Sequence, residues 1–211
     1  MRITLFDCLD SFTWNLVHDL ERAGARVRVR VVEEGQWQAS DWAQTDALVL
    51  SPGPGLPEEH PQLLDVLKEA VDRGVPGLGV CLGMQAIHVL DGGALINMDE
   101  PLHGRVTSMD WDHELLRWKD LWKDMPASME VGHYHSWVVD ESIGSGAYNT
   151  VARNTQGWPM ARVHRSLPIA GVQFHPESVL TPEGRALLRA WLDAAQRCLA
   201  ISASNVSLKR S

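Results

Sequence analysis

Cysteine is scarce in this sequence of 211 residues, which has only Cys8, Cys81 and Cys198. Three widely spaced thiols make a poor disulfide framework and suit a reducing compartment, so a cytoplasmic protein is expected. Neither CxxC nor HExxH occurs, so the common metal-ligand spacings are missing and no metal site is expected. Positive charge is also short. Nineteen Lys and Arg stand against 27 Asp and Glu, a formal net charge of -8, which disfavours a nucleic-acid partner. No stretch approaches the roughly 20 apolar residues of a membrane span. The opening MRITLFD turns acidic too soon for a signal peptide, so no membrane partner is expected either. No Gly-rich stretch has the P-loop pattern, and no nucleotide cofactor is expected.

What is present is an ordinary globular balance, 45% hydrophobic and 22% charged. Phe and Tyr are few, but there are nine Trp. Trp111, Trp118 and Trp122 share one mixed charged segment. Packing is the plain reading, and a contact surface is the alternative.

The first half alternates strand and helix signals. Residues 2–6 read as a strand. Asp10-Ser11 then caps a helix to about Arg22, striped by Phe12, Leu16 and Leu20 and stopped by Gly24. Residues 26–32 alternate Val with Arg, the period of a strand. A short strand over 47–50 ends in Ser51-Pro52-Gly53-Pro54-Gly55, a loop by composition. Residues 61–73 form the clearest helix, closed by Gly74. A buried strand over 75–80 leads into Cys81, and residues 82–90 continue as helix. The second half carries shorter strand signals at 106–111, 131–137, 150–153, 160–164 and 169–174, with a short helix over 115–123 and a last helix over 182–199. The expected fold is α/β, a mostly parallel central sheet with helices on both faces and added antiparallel strands. One domain spans residues 1–200, followed by a polar, frayed tail over 201–211.

Cys81 lies in GVCLGMQ, with Gly79 and Gly83 on either side. Two readings stand. A free Cys is commonly a small buried hydrophobe. Alternatively, Gly-x-Cys-x-Gly is the thiol version of a strained strand-to-helix elbow, which exposes a nucleophile at a helix N-terminus. A thiol nucleophile needs a base and an orienting acid. Of nine histidines, His18, His60, His88, His113 and His164 lack a distinctive context. His175 ends a strand and is followed by Pro176 and Glu177, which is near enough to orient the imidazole. A Pro turn with an incidental His and Glu is the competing reading. The 51–55 loop can present backbone N–H groups to an oxyanion. His133-Tyr134-His135-Ser136-Trp137 is a polar and aromatic patch suited to a pocket wall.

FDCLDSFTWNL, SPGPGLP, GVCLGMQAI, HGR, YHSW and GVQFHPES occur in this order across residues 2–190. Together they resemble class I (triad-type) glutamine amidotransferase domains, whose fold is flavodoxin-like. Within them they most resemble the glutaminase subunits of anthranilate synthase and aminodeoxychorismate synthase. The resemblance implies Cys81 as nucleophile, with His175 and Glu177 completing the triad. It implies a glutamine site at Gly53, Pro54, Gly55, Leu82, Gln85, Ser136 and Trp137. In that site Gly55 and Leu82 offer oxyanion N–H groups, and Ser136 and Trp137 act through their main chain. It implies L-glutamine as substrate, no cofactor or metal on this subunit, and a chorismate-utilising synthase subunit (component I) that receives ammonia.

Met84 stands where His is common, Cys8-Leu9 replaces Asn-Tyr, Arg105 a Lys, His133 an Arg and Trp137 a Leu. No triad position changes. A tryptophan-pathway subunit is the leading reading, with the folate-pathway counterpart, or a subunit shared by both, as its alternative. From other classes, a stand-alone gamma-glutamyl thiol hydrolase competes, as does a non-catalytic regulatory subunit.

Overall fold

The computed structural model describes residues 1–32, 35, 37–115 and 121–208, with the backbone alone at 202–203 and 205–208. Five parallel strands form its centre: β1 (Arg2–Asp7), β2 (Arg26–Val31), β3 (Ala47–Leu50), β4 (Gly77–Val80) and, far later in the chain, β9 (Ile169–Val172). Four strands extend the sheet antiparallel beyond β9: β5 (Ala94–Trp111), β6 (Ser128–Asp140), β7 (Tyr148–Asn154) and β8 (Pro159–His164). The order across all nine is β2-β1-β3-β4-β9-β8-β7-β5-β6. Its parallel part has the flavodoxin-like order, which gathers loops at the carboxyl ends of the strands.

Strand alternation splits the core into two layers. In β3, Ala47 and Val49 join one apolar cluster while Leu48 and Leu50 join the other. The first cluster takes the inner stripes of α1 (Thr13–Arg22) and α5 (Gly184–Leu208), through Leu16, Val17, Leu20, Leu187, Leu188, Trp191 and Leu192. The second takes α3 (Pro61–Arg73) and α4 (Leu82–Leu90), through Leu63, Val66, Leu67, Ala70, Ala86 and Ile87. A four-residue helix, α2 (Ala39–Trp42), precedes β3. No helix is long and apolar enough to cross a membrane among the described residues.

Several boundaries differ from the sequence reading for physical reasons. Helix α1 begins at Thr13, because Asp10 Oδ1 accepts from the Phe12 N–H at 2.8 Å and makes a turn instead of a cap. The strand expected over 106–111 is only the end of β5. Before residue 106 it contains Asp99-Glu100-Pro101 and Gly104, which read as breakers. The ladder absorbs them in register shifts between Asn97 and Leu102 and between His103 and Arg105. Strand β4 starts at Gly77, after Pro76, and β9 stops at Val172. Helix α5 continues through the polar stretch after Ile201 to Leu208.

Of the helix expected over 115–123, residues 116–120 lie outside the described residues, a 3-10 turn occupies His113–Leu115, and 121–124 is a turn. Trp111 and Trp122 are no contact surface. Both are buried in the first cluster with ring centroids 5.3 Å apart. Trp118 lies outside the described residues.

Helix α4 packs close on the sheet through glycine. A Cβ at Gly83 would sit 2.5 Å from Leu50 O and 2.8 Å from Leu50 Cβ, and one at Gly79 would overlap the Gly83 carbonyl group. At Gly171 it would lie 2.9 Å from Met84 Cβ. Gly83→Ala is therefore expected to destabilise the protein by about 1–3 kcal/mol, because backbone rather than a flexible side chain would have to move. Thermal unfolding is the check, with a midpoint several degrees below wild type.

Candidate active site

The crowding beneath α4 shapes the position of Cys81. Cys81 is the N-cap of α4 with φ 52° and ψ -102°, a conformation that L residues rarely adopt. Its N–H donates to Val172 O at 2.8 Å and its carbonyl accepts from Gln85 N at 3.0 Å, so the elbow is tied to β9 below and to α4 above. The first N–H groups of α4, from Leu82 onward, have no acceptor within the helix and suit a developing negative charge. Leu82 itself is buried in the second cluster.

His175 arrives from the end of β9. Its N–H donates to Gly132 O at 3.0 Å, and its carbonyl accepts from Thr181 Oγ1 at 2.7 Å. Nδ1 donates to Glu177 Oε1 at 2.7 Å. Tyr134 and Phe12 pack edge-on against the ring, at centroid distances of 4.9 and 5.7 Å. The imidazole is only 1% exposed, and among the described residues its Nε2 meets no partner closely enough for a formal hydrogen bond. Burial alone would lower the His175 pKa. Interaction with the Cys81 sulfur and with the Glu177 carboxylate outweighs burial and raises it well above the usual histidine value. Sulfur, imidazole and carboxylate thus come together where the neighbouring strands β4 and β9 end. Cys8 differs. Burial pushes its pKa up to about 12 and leaves a protonated thiol.

A cavity of about 210 Å³ opens on Cys81. Gly53, Pro54, Gly55, Gln85, Ser136 and Trp137 line it, as do Tyr134, His135 and His103. Gly53 lies so close to Cys8 and Leu82 that an added Cβ would be 2.6 Å from Cys8 Cβ and 2.7 Å from Leu82 Cδ2. His60 Nε2 bonds Pro54 O at 2.9 Å, and Ser51 Oγ accepts from Cys8 N at 2.9 Å. These contacts hold the loop against the elbow. Gly55 adopts a φ of 74°. Among the described residues, no cluster of three or more His, Cys, Asp or Glu is placed to hold a metal ion.

Some residues at the site were not foreseen. Gln173 is completely buried and donates from Nε2 to Cys81 Sγ at 3.7 Å. Its only signal was a polar residue in the apolar run Gly171-Val172-Gln173-Phe174. His103 bonds Ser136 Oγ at 3.0 Å, a contact created by the pairing of β5 with β6. Of the polar patch, His133 stands behind the pocket, fully buried. Its Nε2 meets Thr107 Oγ1 at 2.7 Å and its Nδ1 meets His135 Nε2 at 3.1 Å. His88, which had no distinctive context, is buried and bonds Asp140 O and Arg162.

A family model described as "Glutamine amidotransferase class-I" matches residues 4–195. The chain is 35% identical over 195 residues to anthranilate synthase component 2 of Azospirillum brasilense, covering 92% of this chain and 97% of that protein. It is 31% identical over 195 residues to the aminodeoxychorismate/anthranilate synthase component 2 of Bacillus subtilis (strain 168), covering 92% and 97%. Among solved structures, a glutamine amidotransferase from Thermotoga maritima superposes with a TM-score of 0.74 at 14% identity. That match covers 94% of this chain and 97% of the other and is a likeness of fold.

The buried pair His133 and His135 is expected to make the protein acid-sensitive. Burial, then the charge of His175, lowers His133 to about 4; burial, then His133 and His175, lowers His135 to about 3. Both are neutral in the fold, whereas in the unfolded chain they bind protons below the ordinary value of 6.5. Their contribution is therefore whole above 6.5 and is lost as pH falls towards the folded values. His175, whose pKa is raised, acts oppositely: its contribution is whole below 6.5 and is lost as pH rises through its folded value. In urea unfolding, wild type is expected to lose more stability on acidification through this range than His133→Gln does. Equal losses would contradict a neutral buried pair.

Proposed function

The chain belongs to the class I glutamine amidotransferases, and we propose that within this family it is a glutaminase that supplies ammonia to a chorismate-aminating synthase subunit, as an anthranilate synthase component 2. The observation that carries the reading is Cys81 on a strained elbow, acting on a buried imidazole that Glu177 orients, with one small cavity in front of the sulfur.

In this mechanism Cys81 Sγ attacks the side-chain amide carbon of L-glutamine, and the carbonyl π electrons move to oxygen. The Leu82 and Gly55 N–H groups hold that oxyanion, an electrostatic contribution that is commonly the largest in acyl transfer. His175, carrying the proton of the Cys81 thiol, delivers it to the amide nitrogen. The C–N bond breaks, ammonia leaves, and a thioester to Cys81 remains. Water then attacks the thioester as His175 takes its proton. Collapse of the second oxyanion expels the sulfur, which recovers that proton, and glutamate leaves. Glu177 keeps Nδ1 protonated and balances the imidazolium throughout. Gln85 receives the amino-acid end of the substrate, together with the main chain of Ser136 and Trp137. The loop Gly53-Pro54-Gly55 closes the other wall. Side chains and backbone of this subunit supply every step, so the reading assigns it no cofactor.

Ammonia is readily protonated in bulk water, so the reading includes a component I partner that takes it over a shielded path. The relatives named anthranilate synthase component 2 support anthranilate synthesis as the use of the ammonia, and the reading places the pair in tryptophan biosynthesis in the cytoplasm. The Bacillus subtilis relative, whose name joins both synthases, favours a second reading in which the chain also serves folate biosynthesis. Reconstitution with each synthase subunit separates them.

Cys81→Ala is expected to cut glutamine-dependent product by about a thousandfold or more. Ammonia-dependent synthesis by the same complex stays at its wild-type level. Persistent glutamine use by that variant would remove Cys81 from the role of nucleophile.

A further inference from the structure

Gln173 is a buried polar side chain that the mechanism above does not use. It follows β9 directly. Its backbone N–H is bonded to Met160 O at 2.9 Å, and its side chain is completely buried. Nε2 lies 3.7 Å from Cys81 Sγ, and Oε1 lies 3.4 Å from Gln85 Nε2. The Gln85 amide in turn donates to the carbonyl oxygen of Trp137 at 3.0 Å. Three groups thus link the pocket wall to the sulfur.

The direction of this chain follows from chemistry. The Trp137 carbonyl can only accept, so the Gln85 atom that meets it is the NH2 group. The same nitrogen meets Gln173, so the Gln173 atom facing it is the carbonyl oxygen. That leaves the Gln173 NH2 group facing sulfur. A reversed amide at either glutamine would set two acceptors or two donors against each other in a buried place, which costs more than one lost hydrogen bond.

We propose that Gln173 is a further functional residue of this site, a fixed hydrogen-bond donor to Cys81 Sγ whose amide is oriented by Gln85 and the Trp137 carbonyl. This rests on the reading of Cys81 as nucleophile. An N–H aimed at sulfur favours the thiolate over the thiol. It also holds the sulfur in place while the bond to the substrate carbon forms, and it receives the sulfur's charge again when the thioester breaks. Gln85 lines the cavity and also orients Gln173, so occupancy of the pocket and reactivity of the sulfur are coupled through two amides.

The test compares wild type, Gln173→Met, Gln173→Glu and Gln85→Met as full chains. One readout is the rate of Cys81 alkylation by iodoacetamide across the pH range in which thiols ionise. The other is kcat and KM for glutamine hydrolysis in complex with the synthase subunit. Gln173→Met keeps the volume and removes the donor. Its alkylation profile is expected to move to higher pH, and kcat to fall roughly tenfold or more, the scale of a hydrogen bond to a charged group. KM is expected to change by less than about threefold, because the lost contact is to the sulfur rather than to bound glutamine. Gln173→Glu sets an acceptor against sulfur and moves the profile further. Gln85→Met frees the Gln173 amide to turn and gives part of the shift.

A Gln173→Met protein that melts like wild type and is alkylated along the wild-type profile overturns the proposal. If that variant does not fold, Gln173→Glu and Gln85→Met decide by the same profile. Alkylation needs no turnover. A wild-type chain whose Cys81 is alkylated but which hydrolyses no glutamine sinks the glutaminase reading, while the profiles still decide whether Gln173 donates to the sulfur.

Discussion

The backbone conformation at Cys81 is the constraint from which the site is built. A φ of 52° with ψ of -102° costs on the order of 1–3 kcal/mol and persists only where neighbours over-determine it. Here they do. The Cys81 N–H is held by Val172 O, its carbonyl by Gln85 N, and the glycines at 79 and 83 let helix and strand approach without side chains between them. The result is a sulfur placed at a helix start, where unpaired N–H groups point outward. Relaxing that turn would move the sulfur, the first N–H groups of α4 and the Gln173 contact together.

Burial makes the surrounding electrostatics strong. His175 is nearly inaccessible, yet two neighbours overcome the desolvation that would otherwise keep it neutral. Close enough to feel its charge, His133 and His135 lack such partners and are neutral. Sequence set His175 apart by the Pro176-Glu177 that follows it, but gave no reason to expect the neighbouring imidazoles to be buried and neutral. The difference lies in what faces each nitrogen. His175 has a carboxylate on Nδ1, whereas His133 has a hydroxyl and a second imidazole. Likewise Cys8 and Cys81 are both buried, but only Cys81 stands beside a histidine that it perturbs.

Elements with a strong local period were legible. Helix α3 runs from Pro61 to a left-handed Gly74 as its apolar stripe implies, and α4 begins directly after Cys81. The parallel centre followed from alternating strand and helix signals. Strand β5 was not legible before residue 106, because Asp99-Glu100-Pro101 carries breaker chemistry that pairing with β6 tolerates through a register shift. Trp111 and Trp122 were ambiguous for another reason. Their charged neighbours suggest surface, but the two rings meet each other in the core. Gln173 looked like one polar position in an apolar strand, and its meaning appears only when Cys81 is brought beside it.

The sequence by itself determined the alternation of apolar strands with striped helices, the glycine pair around Cys81, and the order of motifs that carries the family resemblance. These depend on residues within a few positions of one another, where period and turn chemistry act directly. Only the tertiary structure decided which polar groups meet. Cys81 and Gln173 are 92 positions apart, and Gln85 and Trp137 are 52 apart. No local pattern encodes such distances. They are set by sheet order, which lays β9 beside β4, and by close packing of α4 on both strands.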